Sequence, residues 1–343
     1  MIGWRAPVTE RLNRQVLLTS RPAGIPQAEH FDIVAQPVVA PRDGEILVRN
    51  IFLSVDPAMR GWVSPVANYS TPVPIGGVMR AYAAGQIEHS ADARFGAGDF
   101  VTGQFGWQEF ATVKADAVIR KVEDTTLPLS TALGVLGMTG LTAYFGLLDA
   151  GQPQSGETVI VSTAAGAVGS CVGQIAKLKG CRTVGIAGGP VKRQLCLDEY
   201  GYDAAVDYKT PDFAATLDTA IPDGADVYFD NTSGAISDAV LPKMRARARI
   251  VICGTASISS WDPWPSGPRV ERYLLVKRAR MQGILVSDYT ARYPEAIREL
   301  SAWVRSGALR YREDILDGIE QAPGAIAGLY RGENIGKRLI RLT

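Results

Sequence analysis

Two histidines and four cysteines are spread over 343 residues, and neither type clusters. Cys171, Cys181, Cys196 and Cys253 form no Cys-x-x-Cys pair, and His30 and His89 stand far apart, so no zinc-type ligand set can be read. Lone cysteines of this kind read as small buried hydrophobes. Neither sign of charge is in excess: 36 Lys and Arg against 35 Asp and Glu leave +1. That balance gives no electrostatic argument for nucleic acid or an anionic membrane as partner. No apolar run approaches a membrane span, and the stretch 132–148 is broken by Gly and Thr. The opening MIGWRAPVTERLNRQVLL has neither an uninterrupted apolar core nor a small-residue cleavage site, so no signal peptide and a cytoplasmic location are expected. Internal repeats and low-complexity tracts are also missing.

What is present is organised around 157–180, ETVIVSTAAGAVGSCVGQIAKLKG. An apolar strand, Thr158–Ser162, runs into a Gly-bearing turn, Ala164-Ala165-Gly166-Ala167-Val168-Gly169, and then into a helix of small and aliphatic residues. A strand that delivers the chain to a tight turn, followed by a helix offering its N–H groups and positive dipole end, suits a pyrophosphate. Against G-x-G-x-x-G, Ala164 takes the first Gly position while Gly166 and Gly169 remain. The hexapeptide alone is weak, and its strand-turn-helix context carries the reading.

The length favours two domains. From Arg14 to about Ser130 the chain is β-rich, with short runs at 31–36, 45–53, 83–87, 100–106 and 110–113 between Pro, Gly and Asp turns, as in a partly open barrel. Gly134–Ala150 reads as a tightly packed helix. Strands then alternate with helices: 158–162, 182–187, 204–207, 225–230, 249–253 and 281–286, with helices at 191–200, 212–220 and 235–247. Such alternation implies a parallel sheet with helices on both faces and ligands off the carboxyl ends of its strands. The tail adds a helix at 293–306, an extended piece at 309–315, a helix with Ile319, Ala322, Ile326 and Leu329 on one face, and a last strand at 336–342. The β-rich part needs such a tail, so the expected layout is 1–132 with 307–343 as one domain and 133–306 inserted as the nucleotide domain.

NAD-binding folds place an acidic residue for the ribose 2′-OH about 20 residues past the Gly turn. Here that strand ends Gly185-Ile186-Ala187-Gly188-Gly189, and Lys192 and Arg193 follow. Two cations without an anion suit a 2′-phosphate, so the cofactor reads as NADP(H). A cation near a helix N-terminus is otherwise unfavourable. Tyr208, after the third strand, is placed to add a hydroxyl.

These residues and several others resemble the zinc-independent medium-chain dehydrogenases/reductases, in particular their NADPH-dependent double-bond reductases. The markers cover nearly the whole chain: Leu53-Ser54-Val55-Asp56-Pro57-Ala58-Met59-Arg60, Gly137-Met138-Thr139-Gly140-Leu141-Thr142-Ala143-Tyr144, Ala164–Gly169, Asp230-Asn231-Thr232-Ser233-Gly234, Cys253-Gly254, Arg280-Met281-Gln282-Gly283 and Asn334-Ile335-Gly336-Lys337. The resemblance implies an α/β fold in which a Rossmann doubly wound parallel sheet is inserted in a GroES-like β-barrel domain, without metal sites. It further implies cofactor roles for Met138 and Thr142 at the nicotinamide end, and for Ala165, Gly166, Ala167 and Val168 at the pyrophosphate. Gly188, Lys192 and Tyr208 would surround the 2′-phosphate. Asn231, Cys253 and Asn334 would line the crevice, with Ile284, Leu285 and Val286 beside the nicotinamide. The family's usual tyrosines after Asp-Pro and after Cys-Gly are replaced by Ala58 and Ser259, so the substrate pocket departs from that of better-known members.

With no metal set, Ser/His pair or paired carboxylates near the turn, the cofactor is expected to carry the chemistry. The expected reaction is conjugate reduction of an α,β-unsaturated ketone or aldehyde; candidate donors to the carbonyl oxygen are the cofactor ribose hydroxyl or, from the protein, Tyr69 and then Ser259. Trp261 and Trp264 offer either an aromatic wall or a subunit contact. Quinone or carbonyl reduction, or NADPH binding without turnover, stay open as alternatives. A homodimer is expected from the resemblance, with 274–276 and 281–286 as candidate edge strands.

Overall fold

The computed structural model describes residues 11–66, 69–258 and 263–342. The chain divides into two compact units, one of residues 1–133, 313–334 and 338–343, the other of residues 134–312 and 335–337.

The first unit opens with β1 (Leu12–Leu18), β2 (Phe31–Pro37) and β3 (Glu45–Ser54), then the single helical turn α1 (Met59–Trp62). It continues with β4 (Ala83–Ser90), β5 (Phe100–Gly103), β6 (Phe110–Lys114) and β7 (Val118–Lys121). β1 and β2 form an antiparallel pair of their own. β1 escapes a sequence reading because its polar residues have specific partners: Asn13 Nδ2 donates to the Phe110 carbonyl at 2.7 Å, and Arg14 pairs with Glu109. β3 is the hub, bonding antiparallel to both β4 and β6. Its run of buried Ile46, Leu47 and Val48 fits a strand covered on both faces.

The second unit begins with α2 (Met138–Phe145), which passes into a wider π-helical turn at Gly146–Gly151. The helix expected from Gly134 therefore starts later: the Gly134 carbonyl is taken by the Gly137 and Gly140 N–H groups and by the Thr139 hydroxyl. Then come β8 (Thr158–Ser162), α3 (Ala167–Leu178), β9 (Arg182–Ala187), α4 (Pro190–Asp198), β10 (Ala204–Asp207), α5 (Phe213–Ala220), β11 (Ala225–Asp230), α6 (Gly234–Val240), β12 (Met244–Ile252), α7 (Glu271–Lys277), β13 (Arg280–Gly283) and α8 (Tyr293–Ser306). The strands pair in parallel in the order β10-β9-β8-β11-β12-β13. Strand order reverses between β8 and β11, the switch point where doubly wound sheets bind ligands.

Two expectations fail here. The helix at 235–247 gives way to β12 from Met244, because Met244, Ala248 and Ile250 bury against the sheet core while Arg247 kinks the strand at φ 65°. The segment 274–276 is helical in α7, not an edge strand. Val270, Tyr273 and Leu274 recur at helical spacing and pack on the same core.

The chain ends with β14 (Glu313–Asp317), α9 (Ala322–Arg331) and β15 (Lys337–Arg341). The sheet of the first unit runs β14-β15-β3-β4-β5-β7, with β6 on β3. Ile319, Ala322, Ile326 and Ile340 are buried with Val16, Ile46, Met79 and Trp107. Each large apolar side chain so covered contributes about 1.5–3 kcal/mol, which fastens the tail to this core.

Candidate active site

Each strand of the parallel sheet hands the chain to residues singled out from the sequence. β8 ends at Ser162 before Ala165, Gly166, Ala167 and Val168, and β9 ends at Ala187 before Gly188 and Lys192. β10 ends at Asp207 before Tyr208, β11 at Asp230 before Asn231, and β12 at Ile252 before Cys253. β13 ends at Gly283 before Ile284, Leu285 and Val286. Parallel strands share one carboxyl edge, so these residues form a row along it in the sheet's own order.

The turn after β8 shows how Ala164 replaces a glycine. Thr163 takes the left-handed backbone conformation at φ 54°, so the reversal is made one residue early. The Ala164 side chain is fully buried, and a methyl group placed on Gly185 of β9 would lie only 2.8 Å from it. Gly185 is the space the Ala164 methyl occupies. Gly169 lets α3 approach: a Cβ there would stand 2.2 Å from the Thr163 carbonyl oxygen. Gly166 caps α3 without any side-chain hydrogen bond, which leaves the helix's first N–H groups for a ligand. A parallel bridge joins Gly166 to Gly336, bringing the 335–337 segment beside the turn.

The loop after β11 is held by a buried carboxylate. Asp230 Oδ1 accepts from the Thr232 and Ser233 N–H groups at 2.9 Å each, and from the Ser162 hydroxyl at 3.2 Å. Its other oxygen accepts from the Ser237 hydroxyl. Asn231 is thereby fixed over β8: its N–H donates to Ser162 Oγ at 2.8 Å and its Nδ2 to the Ser162 carbonyl at 2.7 Å. Ser233 holds φ 59°, ψ −162°, a region costly for any side chain, in the same loop. In the sequence Asp230 stands only as the start of a marker and Ser162 only as a strand end; the signal for their holding role is that each is a polar residue closing a strand. The Asp230 carbonyl accepts the N–H of Cys253 at 2.8 Å. Burial, helped by the Asp230 charge, pushes the Cys253 thiol up to about 12.

Met138 and Val286 meet through a residue not singled out. The Tyr293 hydroxyl donates to the Val286 carbonyl at 3.0 Å and lies 3.9 Å from Met138 Sδ. Thr142 Oγ1 donates to the Met138 carbonyl at 2.6 Å, a bond within α2.

Tyr69 and Asn334 belong to the first unit. Tyr69 is exposed, near Tyr330, whose hydroxyl donates to the Pro57 carbonyl at 2.9 Å beneath the Arg60 guanidinium. Burial raises the Tyr330 phenol, Arg60 lowers it, and Tyr69 adds to the rise. Ser259 and Trp261 lie outside the described residues, and Trp264 is strongly exposed. Among the described residues no group of three or more His, Cys, Asp or Glu is placed to hold a metal ion.

A doubly wound sheet with a Gly turn at its switch point, together with a separate antiparallel unit, defines the medium-chain dehydrogenase/reductase fold. Residues 14–121 match the N-terminal domain of oxidoreductases, and 167–302 match the domain described as zinc-binding dehydrogenase. The donor set that second description calls for is not found among the described residues. The chain is 45% identical to the putative NADP-dependent oxidoreductase YfmJ of Bacillus subtilis, over 96% of this chain and 98% of that one. It is 43% identical to the NADPH-dependent curcumin reductase of Escherichia coli, over 96% and 97%. The crystal structure of CurA from Vibrio vulnificus in complex with NADPH superposes with a TM-score of 0.91 at 42% identity, covering 96% of this chain and 99% of that one. The chain belongs to the zinc-independent medium-chain dehydrogenases/reductases, in the double-bond reductase group, and is an NADP(H)-dependent oxidoreductase.

Proposed function

We propose that this enzyme reduces the C=C bond of α,β-unsaturated ketones or aldehydes, using NADPH. The observation that carries the reading is the row of candidate residues along the carboxyl edge of the parallel sheet, joined to likeness with an enone-type reductase, the curcumin reductase. Bound there, the cofactor supplies hydride to the β-carbon of the substrate. The residues of the chain bind and orient. The uncapped N-terminus of α3 receives the pyrophosphate, Met138 beside the Tyr293 hydroxyl serves the nicotinamide end, and Asn231, held by Ser162, lines the crevice. Tyr69 holds the carbonyl oxygen as negative charge develops on it, and the enolate then takes a proton from water at the α-carbon. Ser259 is kept as the second donor, and Asn334 as a crevice residue.

The test mixes purified protein with NADPH or NADH and a panel of enones, enals, quinones and simple aldehydes, following loss of reduced-cofactor absorbance. Oxidation of NADPH by enones and enals is expected. NADPH binding with no turnover on any acceptor, or turnover with quinones alone, sinks the reading. Tyr69→Phe should lower kcat on enones by about ten- to a hundredfold; unchanged turnover strikes Tyr69 from the mechanism.

The working form is a homodimer in the cytoplasm. In support, β13 is the last strand of its sheet, and Leu275 and Val276 of the adjoining α7 are largely exposed. All four cysteines are free thiols, as a reducing compartment requires. Light scattering that gives one chain's mass at micromolar concentration rules the dimer out.

A further inference from the structure

The sequence offers Lys192 and Arg193 as consecutive cations for the 2′-phosphate, but the structure separates them. Arg193 Nε donates to the Ala205 carbonyl of β10 at 2.8 Å, which commits this guanidinium to joining α4 and β10. A different cation stands over the loop. A methyl group built on Gly188 would lie 3.0 Å from the Tyr208 hydroxyl and 3.1 Å from Lys209 Cε. The tyrosine hydroxyl and the end of the lysine chain therefore reach the same glycine.

Their placement is enforced by the backbone. β9 and β10 are parallel neighbours with Ala187 opposite Asp207, so the loops that follow start level. The Tyr208 N–H donates to the Ala187 carbonyl at 3.2 Å. A single oxygen, Asp207 Oδ1, then accepts the N–H groups of both Gly189 and Lys209 at 2.9 Å. One carboxylate stitches the two loops together.

We propose that Lys209 is a specificity-determining residue for the 2′-phosphate of the cofactor, which it shares with the Tyr208 hydroxyl beside Gly188, whose lack of a side chain admits both groups. The inference rests on the assignment of that phosphate to the loop after β9. A phosphate dianion takes charge-assisted hydrogen bonds from an ammonium, and the flexible lysine stem needs no fixed fork geometry to give them.

Dissociation constants for NADPH and NADH, measured by calorimetry on the full chain, test this in Lys209→Gln, Lys209→Arg and Lys192→Gln. Lys209→Gln should weaken NADPH about five- to tenfold and leave NADH within about twofold, while Lys209→Arg retains most of the affinity. Adenosine 2′,5′-bisphosphate and 5′-AMP should show the same split without any nicotinamide. Equal weakening of NADPH and NADH, or no change in NADPH, overturns the proposal. If Lys192→Gln is selective and Lys209→Gln is neutral, Lys209 alone is wrong. A wild-type protein indifferent to the 2′-phosphate sinks the parent assignment and the proposal with it.

Discussion

Gly185→Ala should damage the cofactor turn from a neighbouring strand, and Ala164→Gly should repair it. The new methyl would stand 2.8 Å from the Ala164 methyl, about 1 Å inside normal carbon contact. It would also meet the Tyr202 ring at 3.3 Å, and that ring is pinned by its hydroxyl, which donates to the Gly169 carbonyl at 2.7 Å. Overpacking of this kind costs about 1–3 kcal/mol. For a unit of this size that corresponds to a fall in melting temperature of roughly 2–12 °C. Ala164→Gly alone removes one buried methyl, about 0.8 kcal/mol. It also frees the unfolded backbone, about 0.4–1 kcal/mol more. Were the two changes independent, the double variant would show their sum. Because it removes the clash, it should instead be more stable than that sum by about 1–2 kcal/mol. Thermal melts by circular dichroism, with and without NADPH, read this directly. Strict additivity, or a Gly185→Ala protein as stable as wild type, would refute the packing argument.

Three further outcomes follow from the site and its surroundings. Asp230→Asn keeps the shape but puts an amide donor where donors already converge, so it should cost about 2 kcal/mol in urea unfolding and weaken NADPH several-fold through Asn231; intact affinity would show that Asp230 does not hold that loop. Glu157 feels burial, which raises its carboxyl, but the Arg249 hydrogen bond and the Gln154 N–H outweigh it and the net shift is down. Its contribution is present above the ordinary value of 4.5 and is lost as pH falls through the lowered folded value. Glu157→Gln should therefore flatten the acid limb of a melting-temperature profile between 4.5 and that lowered value, and an unchanged slope there would contradict the reading. Burial pushes the Cys171 and Cys196 thiols up to about 12 and Cys181 to about 11. No cysteine should react quickly with an aromatic disulfide at pH 8 until denaturant is added, and rapid native labelling would overturn that.

The sequence was most legible where local pattern and tertiary burial agree. Thr158–Ser162, Arg182–Ala187, Ala204–Asp207 and Ala225–Asp230 are strands over the residues expected, because each is a short apolar run closed by turn residues. It was least legible where one pattern serves two structures. The Arg-Ala alternation of 245–248 has high helix propensity, yet β12 takes it because the sheet buries Met244 and Ala248. Tyr273-Leu274-Leu275-Val276 looks like a strand and is α7, since only helical spacing puts Val270, Tyr273 and Leu274 on one face. At the site, the Gly turn and strand-end residues announce themselves by type and place. The residues that hold them do not. Ser162 joins Asp230 and Asn231 from 68 and 69 residues away, Asp207 reaches back 18 residues to the Gly189 N–H, and the diversion of Arg193 to the Ala205 carbonyl depends on a strand twelve residues onward. Nothing local encodes such pairings.

The place of β15 in its sheet sets the order of events at the ribosome. It lies between β14 and β3, so β3 makes its antiparallel neighbour from residues near the far end of the chain. At typical translation speeds the interval from Ser54 to Arg341 is roughly 15–60 s. Throughout it one side of β3 along 52–54 waits for its partner, and Ile46 and Val48 wait for Ile326 and Ile340 to complete their cluster. The parallel sheet, by contrast, is encoded in one uninterrupted stretch from β8 to β13 and can close while the rest is still being made. The encoding is thus nested: the part that carries the dinucleotide can close within the synthesis of the part that surrounds it in sequence.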